Sequence, residues 1–200
     1  MNITYDYYEK NTKEFFESTV NADVEYLYQD FLKYIPIDAR ILDLGCGSGR
    51  DSKYFKDKGY KVVSVDASPA LCSMAKDNLG IDIICKRFDE LHYKEEFNGI
   101  WACASLLHCN KRELKETIKI IERALIPGGV FYASFKYGDF EGEREGRFFL
   151  DLNENTAIDI FGKIDGLEII KVWKSEDVRR DKDVSWINVL MIKECNNTNE

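Results

Sequence analysis

The chain has 200 residues, of which 44% are hydrophobic and 13% aromatic, and its formal net charge is -8 at pH 7. This length fits one domain, and the apolar content is enough for a sizeable core, which excludes a disordered protein. The acidic balance excludes a uniformly basic surface, so a nucleic-acid substrate would need a local basic patch.

The predicted elements begin with helices. Apolar side chains at three- and four-residue spacing predict helical structure over about residues 4–35, which Pro36 ends. Short apolar or β-branched runs then alternate with helical stretches. We predict strands near 40–44, 61–66, 81–85, 98–104, 130–135, 167–174 and 184–193, and helices that end near 58 and cover 69–79, 111–125 and 153–163.

This alternation predicts an α/β fold. Strands that alternate with helices form right-handed βαβ units, which build a parallel sheet covered on both faces. The last two strands have no helix between them and must pair antiparallel, because a parallel return needs a crossover. We therefore predict a seven-stranded, mostly parallel sheet with one antiparallel strand. Residues 1–36 are predicted to form a helical lid, 37–195 the main domain and 196–200 a disordered tail.

Cysteines and apolar runs bear on the location of the protein. No apolar run approaches the ~20 residues that span a bilayer, and the first six residues do not look like a secretory signal. The six cysteines form no Cys-x-x-Cys pair, and only 2 histidines accompany them. We expect a cytoplasmic protein with free thiols, without a metal site and without membrane contact.

A glycine-rich turn follows the first predicted strand, with glycines at 45, 47 and 49. Glycines allow a ligand to approach the backbone, and the next helix presents unpaired N–H groups. A dinucleotide-binding G-x-G-x-x-G loop would need a third glycine where Arg50 stands. Asp43 would also repel a pyrophosphate, whereas it suits a cationic ammonium group. The loop therefore disfavours NAD.

Two further positions suit an adenosine. Asp66 ends the second predicted strand, where a carboxylate can accept both ribose hydroxyls. Phe88 offers an apolar face and Asp89 a polar acceptor that could flank an adenine. Taken singly, Asp43 could be a helix cap, Asp66 a turn residue and Asp89 a solvated loop residue.

Together with the Leu-Ile-Pro-Gly-Gly turn at 125–129, these motifs resemble those of class I S-adenosylmethionine-dependent methyltransferases, in order, over about residues 37–194. Within that family, the chain resembles small bacterial tellurite-resistance-like and other small-molecule methyltransferases. The resemblance implies a Rossmann-like fold and S-adenosylmethionine as cofactor. The cofactor-binding residues it implies are Asp43, Gly45, Cys46, Gly47, Asp66, Ala67, Phe88, Asp89, Ala104 and Ser105.

His108 is the candidate general base. It lies in the loop after the fourth predicted strand, at the sheet edge where ligands of open α/β folds bind. An ordinary histidine pKa near 6.5 suits proton transfer at neutral pH. The alternative is a histidine that is hydrogen-bonded into the wall of the site.

The candidate substrate-binding residues are an aromatic side chain from the predicted lid and three cations from loops at the same edge. They are Tyr8, Lys136, Arg147 and Arg179, with Arg144 as a further cation. Arginine and lysine at such places could hold an anionic group. The alternative is a solvated surface, because these loops also carry Asp139, Glu141, Glu143 and Glu145.

Little of the chain is left over for recognition of a large partner. About 36 leading residues and one 15-residue loop lie outside the predicted core, so we expect methyl transfer to a small molecule by in-line displacement. Two alternatives stay open: a tRNA methyltransferase of the wobble-uridine type, which the C-terminal segment resembles, and a non-catalytic cofactor-binding protein. We expect a monomer or a weak dimer.

Overall fold

A seven-stranded sheet and a separate hairpin account for the nine strands seen in the computed structural model, which describes residues 3–178 and 184–195. The strands are β1 (Arg40–Leu44), β2 (Lys61–Asp66), β3 (Ile83–Cys85), β4 (Phe97–Ala102), β5 (Leu125–Lys136), β6 (Glu141–Arg144), β7 (Arg147–Leu150), β8 (Leu167–Glu176) and β9 (Ser185–Lys193). The α-helices are α1 (Ile3–Lys10), α2 (Thr12–Thr19), α3 (Glu25–Leu32), α4 (Arg50–Asp57), α5 (Pro69–Leu79), α6 (Lys111–Ala124) and α7 (Glu154–Phe161).

The sheet has the strand order β3-β2-β1-β4-β5-β9-β8. The five strands β1 to β5 pair in parallel, and β9 runs antiparallel to both of its neighbours. The predicted mostly parallel sheet with one antiparallel strand is confirmed. Because the carboxyl ends of β1, β2 and β4 lie on one edge, the loops that follow these strands lie close together.

Each face of the sheet has its own buried cluster. On one face, Trp101 of β4 stacks on Tyr132 of β5, with ring centroids 3.9 Å apart, and Phe31 of α3 and Phe55 of α4 belong to the same cluster. On the other face, the apolar side of α6 packs on the alternate residues of the same strands. This alternation follows from the two-residue period of a strand, and it covers the sheet on both sides.

Three features depart from the predicted boundaries. The N-terminal helical stretch is divided into α1, α2 and α3. Strand β5 begins at Leu125, which pairs with Phe97, so the Pro-Gly-Gly turn lies within the strand at an irregularity in the ladder. The segment after β5 was predicted as a loop and instead forms the β6–β7 hairpin. Its two-residue turn consists of Glu145 and Gly146, both with positive φ (51° and 74°), which is the backbone that joins tightly paired strands.

Helices α1 and α2 lie across the carboxyl edge of the sheet. Both contact α5, and α1 also contacts β7, where the backbone N–H of Phe148 donates to the Thr4 hydroxyl. This is where the predicted lid would lie. Within the described ranges, no helix is long and apolar enough to cross a membrane. The predicted tail at 196–200 lies outside the described residues.

Candidate active site

The glycine loop, residues 45–49, is held against the end of β2. The backbone N–H groups of Gly45 and Cys46 both donate to the carbonyl of Val65, at 2.8 and 3.0 Å. Gly45 has a φ of 77°, and a Cβ there would lie 2.4 Å from the Cβ of Ser105. At Gly47, a Cβ would lie 3.1 Å from the ring of Phe15. The loop therefore keeps glycine at both positions for backbone conformation and close packing.

Asp66 ties this loop to the start of α5. One carboxylate oxygen accepts from the backbone N–H of Gly47 at 2.8 Å, and the other accepts from the N–H of Ser68 at 2.9 Å. Burial raises the pKa of Asp66, although the backbone hydrogen bonds, including one from Ala67, counteract part of that effect. The carboxylate thus lies beside the glycine loop at the end of β2, as the sequence predicts.

Asp43 lies beneath the loop. Its carboxylate is buried and accepts from the Ser52 hydroxyl at 2.6 Å, and that hydroxyl is 2.7 Å from the hydroxyl of Ser64. Burial and the charge of Asp51 raise the pKa of Asp43 well above its ordinary value. The structure therefore separates Asp43 from the outer residues of the loop and gives it one polar partner in α4, Ser52.

Of the remaining predicted cofactor residues, Ser105 and Phe88 lie next to Gly45, whereas Asp89 does not. The Ser105 hydroxyl donates to the carbonyl of Leu44 at 2.6 Å, and Ala104 has a φ of 52°, with its N–H donating to the Ser134 hydroxyl. Phe88 reaches within 3.5 Å of the position that a Gly45 Cβ would take. Asp89 is exposed and forms an ion pair with Arg87 at 3.0 Å.

His108 is hydrogen-bonded at both ring nitrogens. Nδ1 is 2.7 Å from the carbonyl of Phe148, and Nε2 is 2.8 Å from the Tyr8 hydroxyl. A carbonyl only accepts, so in the neutral ring Nδ1 carries the proton and Nε2 accepts from Tyr8. Burial, helped by the charges of Arg147 and Lys136, lowers the pKa of His108 to about 4, although the hydrogen bond to Phe148 acts in the opposite direction. The imidazole is therefore neutral at pH 7 and part of the wall of the site.

Three cations surround the ring of Phe149, and we call them the cation cluster: Lys136, Arg144 and Arg147. They lie 4.3, 4.6 and 5.0 Å from the ring centroid. Arg144 forms a bidentate ion pair with Asp151. Arg179, the fourth predicted cation, lies outside the described residues.

The positive charges of Lys136 and Arg147 are less well neutralised by carboxylates than the charge of Arg144. Arg147 is 3.3 Å from Glu145, whose side chain is 70% exposed, and its Nε is buried without a hydrogen-bond partner among the described residues. Within residues 3–178 and 184–195, no carboxylate forms an ion pair with Lys136. Burial and the charge of Arg144 lower the pKa of Lys136. The cluster therefore has positive charge to offer to an anion.

Residues of α1 and α2 join the cation cluster to the glycine loop. The ring of Phe15 lies between Gly47 and the ring of Tyr8, whose centroid is 4.9 Å from that of Phe15. The carboxylate of Glu9 accepts from the Ser68 hydroxyl at 2.5 Å and from the N–H of Ala70 at 3.2 Å. Sequence reasoning did not single out Glu9, Phe15 or Phe149 as site residues, because nothing in their local patterns reports which side chains they contact.

Comparisons with known proteins agree with this geometry. Residues 41–129 match the family described as "Methyltransferase domain". The fold superposes on that of a Burkholderia thailandensis 1,6-didemethyltoxoflavin-N1-methyltransferase, solved with S-adenosylhomocysteine, with a TM-score of 0.77 and 18% identity over 96% of this chain and 86% of that one. Residues 41–129 therefore form a methyltransferase domain, and the chain has the fold of S-adenosylmethionine-dependent methyltransferases.

Two curated relatives show how the similarity to other methyltransferases is distributed. An uncharacterized methyltransferase of Staphylococcus carnosus is 23% identical over 170 residues, 78% of this chain and 82% of that protein. The malonyl-[acyl-carrier protein] O-methyltransferase of Salmonella typhimurium is 30% identical over 94 residues, 46% of this chain but only 37% of its own length. The chain therefore spans less than half of the second relative.

Proposed function

We propose that this methyltransferase transfers the methyl group to a small-molecule acceptor that carries an anionic group. The observation that carries the proposal is the cation cluster beside Tyr8 and His108. In a chain of net charge -8, Lys136 and Arg147 lie half-buried at the same edge as the glycine loop. The Burkholderia thailandensis enzyme, solved with bound 1,6-didemethyltoxoflavin, supports a small acceptor.

The cofactor would lie between the glycine loop and the ends of β2 and β4. The close packing of the glycine loop fits a bound cofactor. A Cβ added at Gly45 would contact Ser105 and one at Gly47 would contact Phe15, so the backbone is bare where the cofactor would approach it. Asp66 would accept from the ribose hydroxyls and Phe88 would contact the adenine. Bound S-adenosylmethionine supplies a methyl group on a positively charged sulfur. Asp43 contributes from beneath, by supporting the loop through Ser52.

The acceptor would place its anionic group against Lys136 and Arg147. A guanidinium with a free Nε–H can donate to a carboxylate or phosphate oxygen, and lysine adds a point charge. The anchored group would hold the nucleophile next to the Tyr8 hydroxyl. The work of these residues is to orient the acceptor for an in-line displacement.

The Tyr8–His108 pair determines where a proton could go. Nε2 of His108 already accepts a hydrogen bond from the Tyr8 hydroxyl. A proton that leaves the substrate therefore reaches the imidazole only through the phenol oxygen of Tyr8. In that relay, Tyr8 takes the acceptor's proton while passing its own to Nε2, and the hydrogen bond from Nδ1 to Phe148 holds the ring in place. A base is needed only if the nucleophile starts protonated.

A methyl-transfer assay with labelled cofactor tests the proposed acceptor class. We expect label to enter a small-molecule fraction of a metabolite extract that binds to an anion-exchange column. The same assay with total tRNA should show no transfer. Label in tRNA would contradict the proposal in favour of an RNA substrate, and tight cofactor binding without transfer to either would indicate a non-catalytic protein.

The cation cluster is tested within this assay by Lys136→Met. We expect about a 10- to 100-fold loss of kcat/KM, mostly through KM, because one charged contact contributes about 1.5–3 kcal/mol. Lys174→Met is the matched control, since Lys174 also lies over a ring, that of Tyr137, at 4.7 Å. Equal losses in the two variants would contradict a role of Lys136 in acceptor binding.

Asp66→Ala tests the cofactor position. We expect cofactor binding to weaken by about 1–3 kcal/mol, because the variant loses a charged acceptor and frees the N–H groups of Gly47 and Ser68. Isothermal titration calorimetry measures the dissociation constant directly. Asp82→Ala, at an exposed aspartate paired with Lys76, is the control and should bind normally. An unchanged affinity in Asp66→Ala would show that the ribose lies elsewhere.

A further inference from the structure

Two cysteine thiols lie directly behind the turn that follows β2. Cys85 of β3 is the register partner of Asp66 in the sheet, and its Sγ donates to the carbonyl of Ala67 at 3.7 Å. Cys72 lies in the first turns of α5, and its Sγ donates to the carbonyl of Asp66 at 3.8 Å. The carbonyls of two consecutive residues thus hold the two thiols on one side of this turn, and the charge of Cys85 helps to raise the pKa of Cys72.

The two thiols differ in accessibility. Cys85 is exposed and Cys72 is half-buried behind it. Cys46 also interacts electrostatically with Cys72, but it is buried within the glycine loop. Burial and the charge of Asp66 raise the pKa of Cys72, so its thiol is rarely ionised at neutral pH. Cys85 is therefore the thiol that reacts first with a reagent in solution.

We propose that Cys72 and Cys85 form a reversible disulfide in the presence of a small disulfide oxidant, and that this disulfide weakens cofactor binding. The effect on the cofactor rests on the proposed position of its ribose at Asp66, whereas formation of the disulfide does not. All six cysteines lie within the described residues, and Cys72 and Cys85 are the two whose thiols donate to the carbonyls of consecutive residues.

The reaction is an ordinary thiol–disulfide exchange. The Cys85 thiolate attacks one sulfur of oxidised glutathione and expels a glutathione thiolate, which leaves a mixed disulfide on Cys85. Cys72 then loses its proton to the expelled thiolate, and its sulfur attacks the Cys85 sulfur and expels the second glutathione. Two protein thiols are oxidised, and one glutathione disulfide is reduced to two thiols. Proximity compensates for the small ionised fraction of Cys72.

The disulfide would change the turn that carries Asp66. Both S–H donors are consumed, so the carbonyls of Asp66 and Ala67 lose their thiol partners. A disulfide also brings the two sulfurs to about 2.05 Å, which is closer than two separate thiols can approach, and so draws the start of α5 towards β3. Residues 67–68 link the end of β2, which pairs with β3, to the start of α5. We expect the cofactor dissociation constant to rise at least about fivefold.

Peptide mapping tests the disulfide on the full chain. After treatment with oxidised glutathione and alkylation of the remaining thiols, trypsin separates the two cysteines into peptides 62–76 and 77–86. We expect mass spectrometry to find these two peptides cross-linked, and dithiothreitol to release them. A glutathione adduct on Cys85 without a cross-link, or a cross-link that involves Cys46, would overturn the proposal.

Calorimetry with S-adenosylhomocysteine then tests the consequence. The oxidised protein should bind more weakly than the reduced protein, and Cys72→Ser and Cys85→Ser should each make affinity insensitive to the oxidant. Cys195→Ser, at another exposed cysteine, should keep the response. A cross-linked protein with unchanged affinity would overturn the second half of the proposal. Failure of the reduced protein to bind would instead count against the proposed function.

Discussion

We expect Asp51→Ala to lower the free energy of unfolding by about 3–5 kcal/mol, because it breaks a buried ion pair from one side. The Asp51 carboxylate accepts from Arg50 Nε and from the Tyr28 hydroxyl, both at 2.5 Å, and from Trp101 Nε1 at 2.8 Å. All three donors lose their acceptor together. Urea unfolding, followed by tryptophan fluorescence, measures the loss.

The matched control for this prediction lies in the same helix. Asp57 of α4 is exposed and pairs with Lys53 at 2.7 Å, so Asp57→Ala should cost less than about 1 kcal/mol. If Asp51→Ala cost no more than Asp57→Ala, the buried network beneath the glycine loop would not stabilise the fold.

The same carboxylate gives the prediction a pH dependence. Burial favours a higher pKa for Asp51, but the charge of Arg50 and the hydrogen bonds from Arg50, Tyr28 and Trp101 outweigh it and hold the pKa below its ordinary value. A carboxylate with a lowered pKa stabilises the fold above its unfolded pKa, near 3.9, and this contribution is lost as the pH falls through the folded value. The difference between wild type and Asp51→Ala should therefore be full at pH 7 and shrink below about pH 4.

The sheet could be predicted because its signals are local. Short apolar runs, bounded by glycine or proline, define β1, β2 and β4, and the helices between them require parallel pairing. Strand β9 was predicted antiparallel because no helix separates it from β8. The order of motifs along parallel strands then placed Gly45, Asp66 and Ser105 at one edge, which the structure shows.

The β6–β7 hairpin could not be predicted from the same kind of signal. Its first strand is rich in glutamate and arginine, and its turn has a non-glycine residue, Glu145, in the left-handed region. Glycine, asparagine or aspartate there would have indicated a tight hairpin turn. Only Gly146 carried such a signal. The hairpin matters to the site because it carries Phe148 and Phe149, on which His108 and the cation cluster rest.

Side-chain directions and long-range contacts were also beyond the sequence. Asp43 has the expected place at the end of β1, but the strand period sends its carboxylate under the loop to Ser52. Tyr8 and His108 are 100 residues apart and share no pattern, so their hydrogen bond could be found only in the structure. Sequence reasoning chose both residues for their chemistry. It could not predict that the Tyr8 hydroxyl donates a hydrogen bond to Nε2 of His108.

We expect Gly45→Ala to weaken cofactor binding by roughly 2–3 kcal/mol, about 30- to 150-fold in the dissociation constant. Two effects act together. An L-residue is strained at a φ of 77°, and the new Cβ would lie 2.4 Å from the Cβ of Ser105. Ser105 cannot easily move, because its hydroxyl is bound to the carbonyl of Leu44 at 2.6 Å. The glycine loop must therefore shift away from the position that its hydrogen bonds to Val65 define.

Gly59→Ala separates these two effects. Gly59 has a φ of 91°, but a Cβ there would have nothing within 4 Å, so the variant has the backbone strain without the clash. It should lose about 1 kcal/mol of stability and keep full cofactor affinity, as measured by calorimetry. If Gly45→Ala bound the cofactor as well as Gly59→Ala does, close packing of the loop on Ser105 would not be required for binding. A large loss in Gly45→Ala alone would show that cofactor binding depends on the glycine at this position of the loop, and not on a general loss of stability.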